Sequence, residues 1–196
     1  MKPMINGIRS ILIPIFIVLL TSSSMPVEVP LSIATPIVVP PPSPNRGDLV
    51  DFMNDMAMRE SNNTPTAVNR FGYMGKYQFG PTTLWGLGDE FRITREEFLQ
   101  MEEMQDSAMV QLLRHNTWQL RDIIDRYNGT YRGFWITTSG ILAGAHLVGP
   151  HGVRAYFDSN YKILRSNLMV TPSTLDGNGT AVGEYIRQFS GYRLTF

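Results

Sequence analysis

Residues 59–80 read RESNNTPTAVNRFGYMGKYQFG, and the stretch opens with a carboxylate where an apolar side chain would be expected. With about 100° per residue in a helix, Leu49, Phe52, Met53 and Met56 share one face, and Glu60 lands about 20° from Leu49 on that same face. The acid thus lies one turn beyond Met56, in line with the side chains that build a core. Burying an unpaired carboxylate is costly, and the usual release is a raised pKa that keeps it protonated. The free carbonyls at a helix C-terminus push the same way. Both effects suit a general acid. Pairing with a buried arginine such as Arg70 would instead give Glu60 a purely structural task.

The loop that follows carries turn formers at Asn63, Thr64, Pro65, Asn69, Gly72, Gly75 and Gly80. Phe71, Tyr73, Tyr77 and Phe79 add flat, partly polar surfaces on which sugar rings stack, and Gln78 can hydrogen-bond hydroxyl or acetamido groups. Aromatic side chains in a loop can equally fill a core. An acid beside such a loop makes a cleft the more economical reading.

Outward from this stretch, the pattern is helical almost throughout. A first helix begins after Asp48, a short one is predicted over 81–87, and Thr94 with Glu96 and Glu97 marks a helix start. Met109, Leu112, Leu113, Leu120, Ile123, Ile124 and Tyr127 recur at three- and four-residue steps, predicting one central helix over 102–127. TTSGILAGAHLVG, residues 137–149, is apolar nearly all round, with Gly140, Ala143, Gly144 and Ala145 small enough to admit a close neighbour. A helical piece at 152–157, the turn DGNGT at 176–180, and a last helix capped by Thr180 and running to Phe189 complete the pattern. DGNGT has Arg187 where a calcium loop needs its twelfth-position acid, so it is read as a plain turn. The predicted class is mainly α, with a short irregular or β-like aromatic loop beside a cleft.

On the N-terminal side, Lys2 and Arg9 precede the apolar run ILIPIFIVLL at 11–20 and the small residues of 21–24. That order is expected of a signal peptide over 1–24, or of a signal-anchor held in a membrane by residues 8–24. Residues 25–45 carry Pro26, Pro30, Pro36, Pro40, Pro41, Pro42 and Pro44 and read as an extended linker. Residues 46–196 are the folded domain, and the expected location is exported, periplasmic or extracellular.

The chain has 196 residues, 43% of them hydrophobic, enough for one domain with a real core. Lys plus Arg and Asp plus Glu both number 17, so no overall field draws the chain to nucleic acid, and membrane association is expected only through the N-terminal segment. Cysteine is absent, which excludes a thiol nucleophile and a disulfide scaffold. His115, His146 and His151 have no metal-binding spacing, and no cofactor or metal is expected. His146, within the apolar helix, is readable as a hydrogen-bonded core residue or as a substrate contact. Ser61 has no His and Asp arrangement to make it a nucleophile.

Glu60-Ser61, Gly75-Lys76-Tyr77-Gln78 and Ala145-His146-Leu147-Val148-Gly149 follow one another in order. Together they resemble the Glu-Ser, Gly-Leu-Met-Gln and Ala-Tyr-Asn-x-Gly motifs of soluble lytic transglycosylases and goose-type lysozymes. His146 stands where that family has tyrosine, and Leu147 where it has asparagine. The resemblance implies a lysozyme-like fold over residues 48–192 and peptidoglycan glycan strands as the partner. It implies cleavage of the MurNAc-β-1,4-GlcNAc bond, with Glu60 as catalytic acid and base and Ser61, Tyr73, Tyr77, Gln78, Phe79 and His146 around the substrate. Glycosidases usually pair two carboxylates, and no second one stands out beside the loop; a single acid and base glutamate is what the transglycosylase resemblance implies, and that outcome is favoured over hydrolysis. A muramidase and a catalytically inactive peptidoglycan-binding protein are the alternatives.

Overall fold

Asp48 starts the first helix by satisfying its free amides. Its Oδ1 accepts from the N–H groups of Val50 and Asp51, while its own N–H donates to Asp51 Oδ2. The helix α1 (Leu49–Ser61) then buries Phe52, Met53, Met56 and Ala57 and ends at Asn62 in a left-handed conformation. The structure, a computed structural model, describes residues 45–196. The expected signal and most of the expected linker lie outside the described residues. Residues 45–196 fall within one compact unit.

After the aromatic loop come α2 (Pro81–Trp85), a 3-10 turn (Asp89–Phe91) and α3 (Arg95–Gln100). Thr94 caps α3 in a reciprocal arrangement with Glu97, in line with the sequence pattern. The central helix departs from the expectation of one continuous rod. It is two helices, α4 (Glu102–Gln119) and α5 (Arg121–Tyr127), broken at Leu120. Two tertiary contacts explain the break: Arg154 donates to the Gln119 carbonyl at 2.6 Å, and Leu120 is fully buried among other apolar side chains.

The apolar segment forms α6 (Thr138–Phe157), bent at Gly149, where φ is 73°. Pro150 disfavours helical backbone in the residue before it, and only glycine adopts this positive φ without strain. The two helical pieces read from the sequence are the two sides of this bend. The last helix, α7 (Val182–Phe189), begins after Ala181 with no side-chain cap. Thr180 does not cap it: it lies one residue before the N-cap and belongs to the preceding turn, where its N–H donates to Asp176 Oδ1 at 2.7 Å.

Two antiparallel hairpins were not expected from the sequence. They are β1 (Gly129–Tyr131) with β2 (Phe134–Ile136), and β3 (Ile163–Arg165) with β4 (Leu168–Val170). Each strand has three residues, too short for an alternating pattern to register. The class is therefore mainly helical with two small sheets.

Apolar side chains gather in two clusters. One joins α1, the aromatic loop, α3 and α4, and takes Leu142, Tyr185 and Phe189 from α6 and α7. The other holds Leu120, Ile123 and Ile136, with Ile141, Val182 and Ile186 from neighbouring positions of the same two helices. The α6 and α7 pair thus divides the core, and the first cluster supports the site.

Candidate active site

Gln105 of α4 fixes the shape of the aromatic loop. It is fully buried, accepts from the Lys76 N–H at 2.8 Å, and donates to the carbonyls of Pro65 and Phe98 at 3.0 Å each. Lys76 is buried as well, and its ammonium sits 2.9 Å from both Glu102 and Asp106. Met74 bridges both Val68 and Phe79, so the loop is β-like without forming a strand. Gln78 is held at φ 53°, an uncommon conformation for a residue with a side chain, and its Nε2 donates to the Gly75 carbonyl at 2.9 Å.

This loop and the turn at 176–178 face one another across a cavity lined by Glu60, Tyr73, Gln78, His146, Asp176 and Asn178, among others. Arg70 bridges the two loops by donating to Asn178 Oδ1 at 3.2 Å, so it is not the partner of Glu60. Tyr73, Gln78, His146, Leu147 and Asp176 continue into a larger cleft of about 540 Å³ that runs over α4. Glu60 stands at the narrow end of this continuous groove.

The Glu60 side chain is 15% exposed, and its Oε1 accepts a hydrogen bond of 2.7 Å from the Tyr185 hydroxyl. Burial, then the Glu60 charge and hydrogen bond, push the Tyr185 phenol well above its ordinary value, so it stays a neutral donor. Glu60 Oε2 makes no hydrogen bond to a described residue. The second oxygen is thereby left for whatever occupies the cavity.

His146 Nε2 lies 2.9 Å from the Tyr77 carbonyl and 3.9 Å from Glu60 Oε1. A carbonyl only accepts, so Nε2 carries the hydrogen and binds the loop backbone. Its Nδ1 is shielded from solvent and makes no hydrogen bond to a described residue. The ring packs edge-on against Phe79, centroids 5.9 Å apart. His146 is therefore both a support of the loop and a wall of the cleft.

Of the residues expected around the substrate, Tyr73, Gln78, Phe79 and His146 line the groove with Glu60. Tyr77 and Ser61, also expected around the substrate, line neither part of it. Tyr77 is buried and donates its hydroxyl to Asp106 at 2.6 Å. Ser61 Oγ donates to the Lys76 carbonyl and accepts from the Thr64 N–H, both at 2.9 Å, tying the end of α1 to the loop.

Sequence reasoning missed Tyr185 and Asp176. Tyr185 is 125 residues from Glu60, and nothing local marks it apart from other apolar positions of α7. Asp176 belongs to the DGNGT turn, where its Oδ1 accepts from the N–H groups of Asn178 and Thr180 at 2.9 and 2.7 Å. The turn is structural as read, but it also delivers a second carboxylate to the cavity of Glu60. Among the described residues, no group of three or more His, Asp or Glu side chains could hold a metal ion.

Protein-family models, curated proteins and solved structures give no match to this chain. Its own geometry defines a mainly helical domain with a carboxylate at the head of a polar, aromatic-lined groove.

Proposed function

We propose that the chain is a lysozyme-like, peptidoglycan-cleaving enzyme that acts on the MurNAc-β-1,4-GlcNAc bond as a lytic transglycosylase, with Glu60 as its single acid and base. The observation that carries this reading is the Glu60–Tyr185 hydrogen bond at the end of a groove built from the aromatic loop and α6. Tyr185 occupies Oε1 and fixes the plane of the carboxyl group. Oε2 then carries the proton and gives it to the glycosidic oxygen as the bond to the anomeric carbon breaks. The muramyl 6-hydroxyl attacks that carbon and returns its proton to Glu60, giving a 1,6-anhydro product without consuming water. Tyr73 offers a stacking surface, and the carbonyl end of the Gln78 amide can accept from sugar hydroxyls.

A muramidase is the second reading, and Asp176 favours it. Its Oδ2, free of hydrogen bonds to described residues, could take a proton from water attacking the anomeric carbon. Among the described residues no helix is long and apolar enough to cross a membrane. Export to the periplasm or the cell exterior remains part of the proposal, through the N-terminal segment.

The test is mass spectrometry of soluble products after incubating purified peptidoglycan with the full chain and with Glu60→Gln. Anhydro-muropeptides from the unmodified protein, reduced at least about 100-fold by the substitution, support the transglycosylase. Reducing muramyl ends support the muramidase. No release by either form leaves a binding protein.

A further inference from the structure

The wide part of the groove has a side branch. Val148, Gly149, Pro150 and Leu175 line both the wide cleft and a second cavity of about 330 Å³, which lies between the bend of α6 and the β3–β4 hairpin. That volume is within the range of about 300–1,000 Å³ that ligand sites occupy. Gly149 stands at the junction, with open space where a side chain would project. The hairpin turns at Ser166 and Asn167, both at positive φ (48° and 65°), and this two-residue turn goes with the pairing of Ile163 with Val170 and Arg165 with Leu168. Successive strand residues point to opposite faces. Ile163, Arg165 and Val170 accordingly share the face that lines the cavity, and Leu164 and Met169 do not line it.

Arg165 is the one lining residue with a permanent charge, and no Asp or Glu lines the cavity. Its side chain is exposed and makes no ion pair with a described residue, so a ligand can reach it. His151, the other titratable lining residue, lies 2.7 Å from the Tyr161 hydroxyl and carries no negative charge in either protonation state. An apolar cavity with one unopposed guanidinium fits a ligand that is partly apolar and carries a carboxylate. We infer that this branch binds the acidic peptide carried on the lactyl group of a muramyl unit, with Arg165 pairing to a peptide carboxylate. The inference rests on the reading of the groove as a peptidoglycan site. A glycan strand in the wide cleft branches only where a muramyl lactyl group leaves the ring, and that branch is a short peptide with free carboxylates. None of the residues around the side cavity lines the cavity at Glu60. The peptide held there therefore belongs to a muramyl unit other than the one whose bond is cut, and Arg165 contributes to binding and not to the bond-breaking step.

The experiment measures cleavage by the full chain of peptide-bearing glycan strands and of the same strands stripped of peptide by an amidase. It compares the unmodified protein with Arg165→Gln, Arg165→Glu and Lys162→Gln. Lys162 is an exposed cation beside β3 that does not line the cavity, and it serves as the control. The unmodified protein should have a KM about tenfold lower for peptide-bearing strands. Arg165→Gln should erase that preference, and Arg165→Glu should raise KM for peptide-bearing strands further, with kcat and behaviour on stripped strands held. Lys162→Gln should match the unmodified protein. Equal KM for the two strands in the unmodified protein, or equal effects of Arg165→Gln and Lys162→Gln, with Glu60-dependent cleavage intact, would overturn the peptide site and leave the enzyme reading standing. Absence of Glu60-dependent cleavage of either strand would overturn the enzyme reading, and co-sedimentation with the two strand types then decides the branch. A preference for peptide-bearing strands that Arg165→Gln removes would support it, and no preference would overturn it.

Discussion

Tyr185 donates its hydroxyl to Glu60 Oε1 at 2.7 Å, joining the last turn of α1 to the middle of α7. The bond sets the carboxyl plane at the end of the groove. In Tyr185→Phe the ring still packs and the donor is gone. We expect kcat on peptidoglycan to fall about 10- to 100-fold with KM little changed, and stability to fall by about 1 kcal/mol. Tyr192→Phe is the control, because Tyr192 donates to Asp55 and lines neither part of the groove. Equal losses in the two variants would show that Tyr185 acts only through packing.

Tyr77, Tyr185 and Tyr192 each donate to a carboxylate, and burial is the first cause that raises all three phenols above their ordinary value. A raised folded pKa means that the stabilisation is complete below the ordinary phenol pKa of about 10 and is lost as pH rises beyond it. Of the eight tyrosines, these three should ionise late. An absorbance titration at alkaline pH should show their phenolate signal appearing together with loss of helical circular dichroism. A single early transition for all tyrosines would contradict this.

At low pH the relevant pair is Asp122 and Arg154, which tie α5 to α6 through contacts of 2.7 Å. The Arg154 hydrogen bonds hold the Asp122 carboxyl down to about 2. A lowered folded pKa contributes stability above the ordinary carboxylate value of about 3.9 and loses it as pH falls from there toward 2. Asp122 is exposed and Arg154 only partly buried, so solvent screening keeps the effect small. Asp122→Asn should melt below the unmodified protein at neutral pH, and the two melting temperatures should converge by the bottom of that window. A constant difference would assign the effect to packing.

Gly140 marks where α7 approaches α6. A Cβ there would overlap the Ile186 backbone carbonyl and Ser190 Oγ, which is held by hydrogen bonds from the Thr137 N–H and to the Ile186 carbonyl. Gly140→Ala should destabilise by about 1–3 kcal/mol in denaturant unfolding. At Gly144 the added methyl meets only side-chain atoms of Ile186 and Val182, which can rotate away. Gly144→Ala should therefore cost less, and the reverse order would place the close contact elsewhere.

What the sequence determined alone is local. The apolar stripe of α1 with Glu60 at its end, the Thr94–Glu97 cap, the buried α6 with its small residues and the turn at 176–180 all depend on residues within about one or two helical turns. Periodicity and capping report such short-range choices directly. Tertiary packing decided the rest. It broke the central helix at Leu120, turned Tyr77 inward to Asp106, sent Arg70 to Asn178, and brought Tyr185 and Asp176 to Glu60. Whether an aromatic loop residue faces the core or the groove, and which distant hydroxyl meets a carboxylate, depends on how α6 and α7 cross the first core cluster. The stripe on a single helix fixes which face is buried and leaves open what it meets.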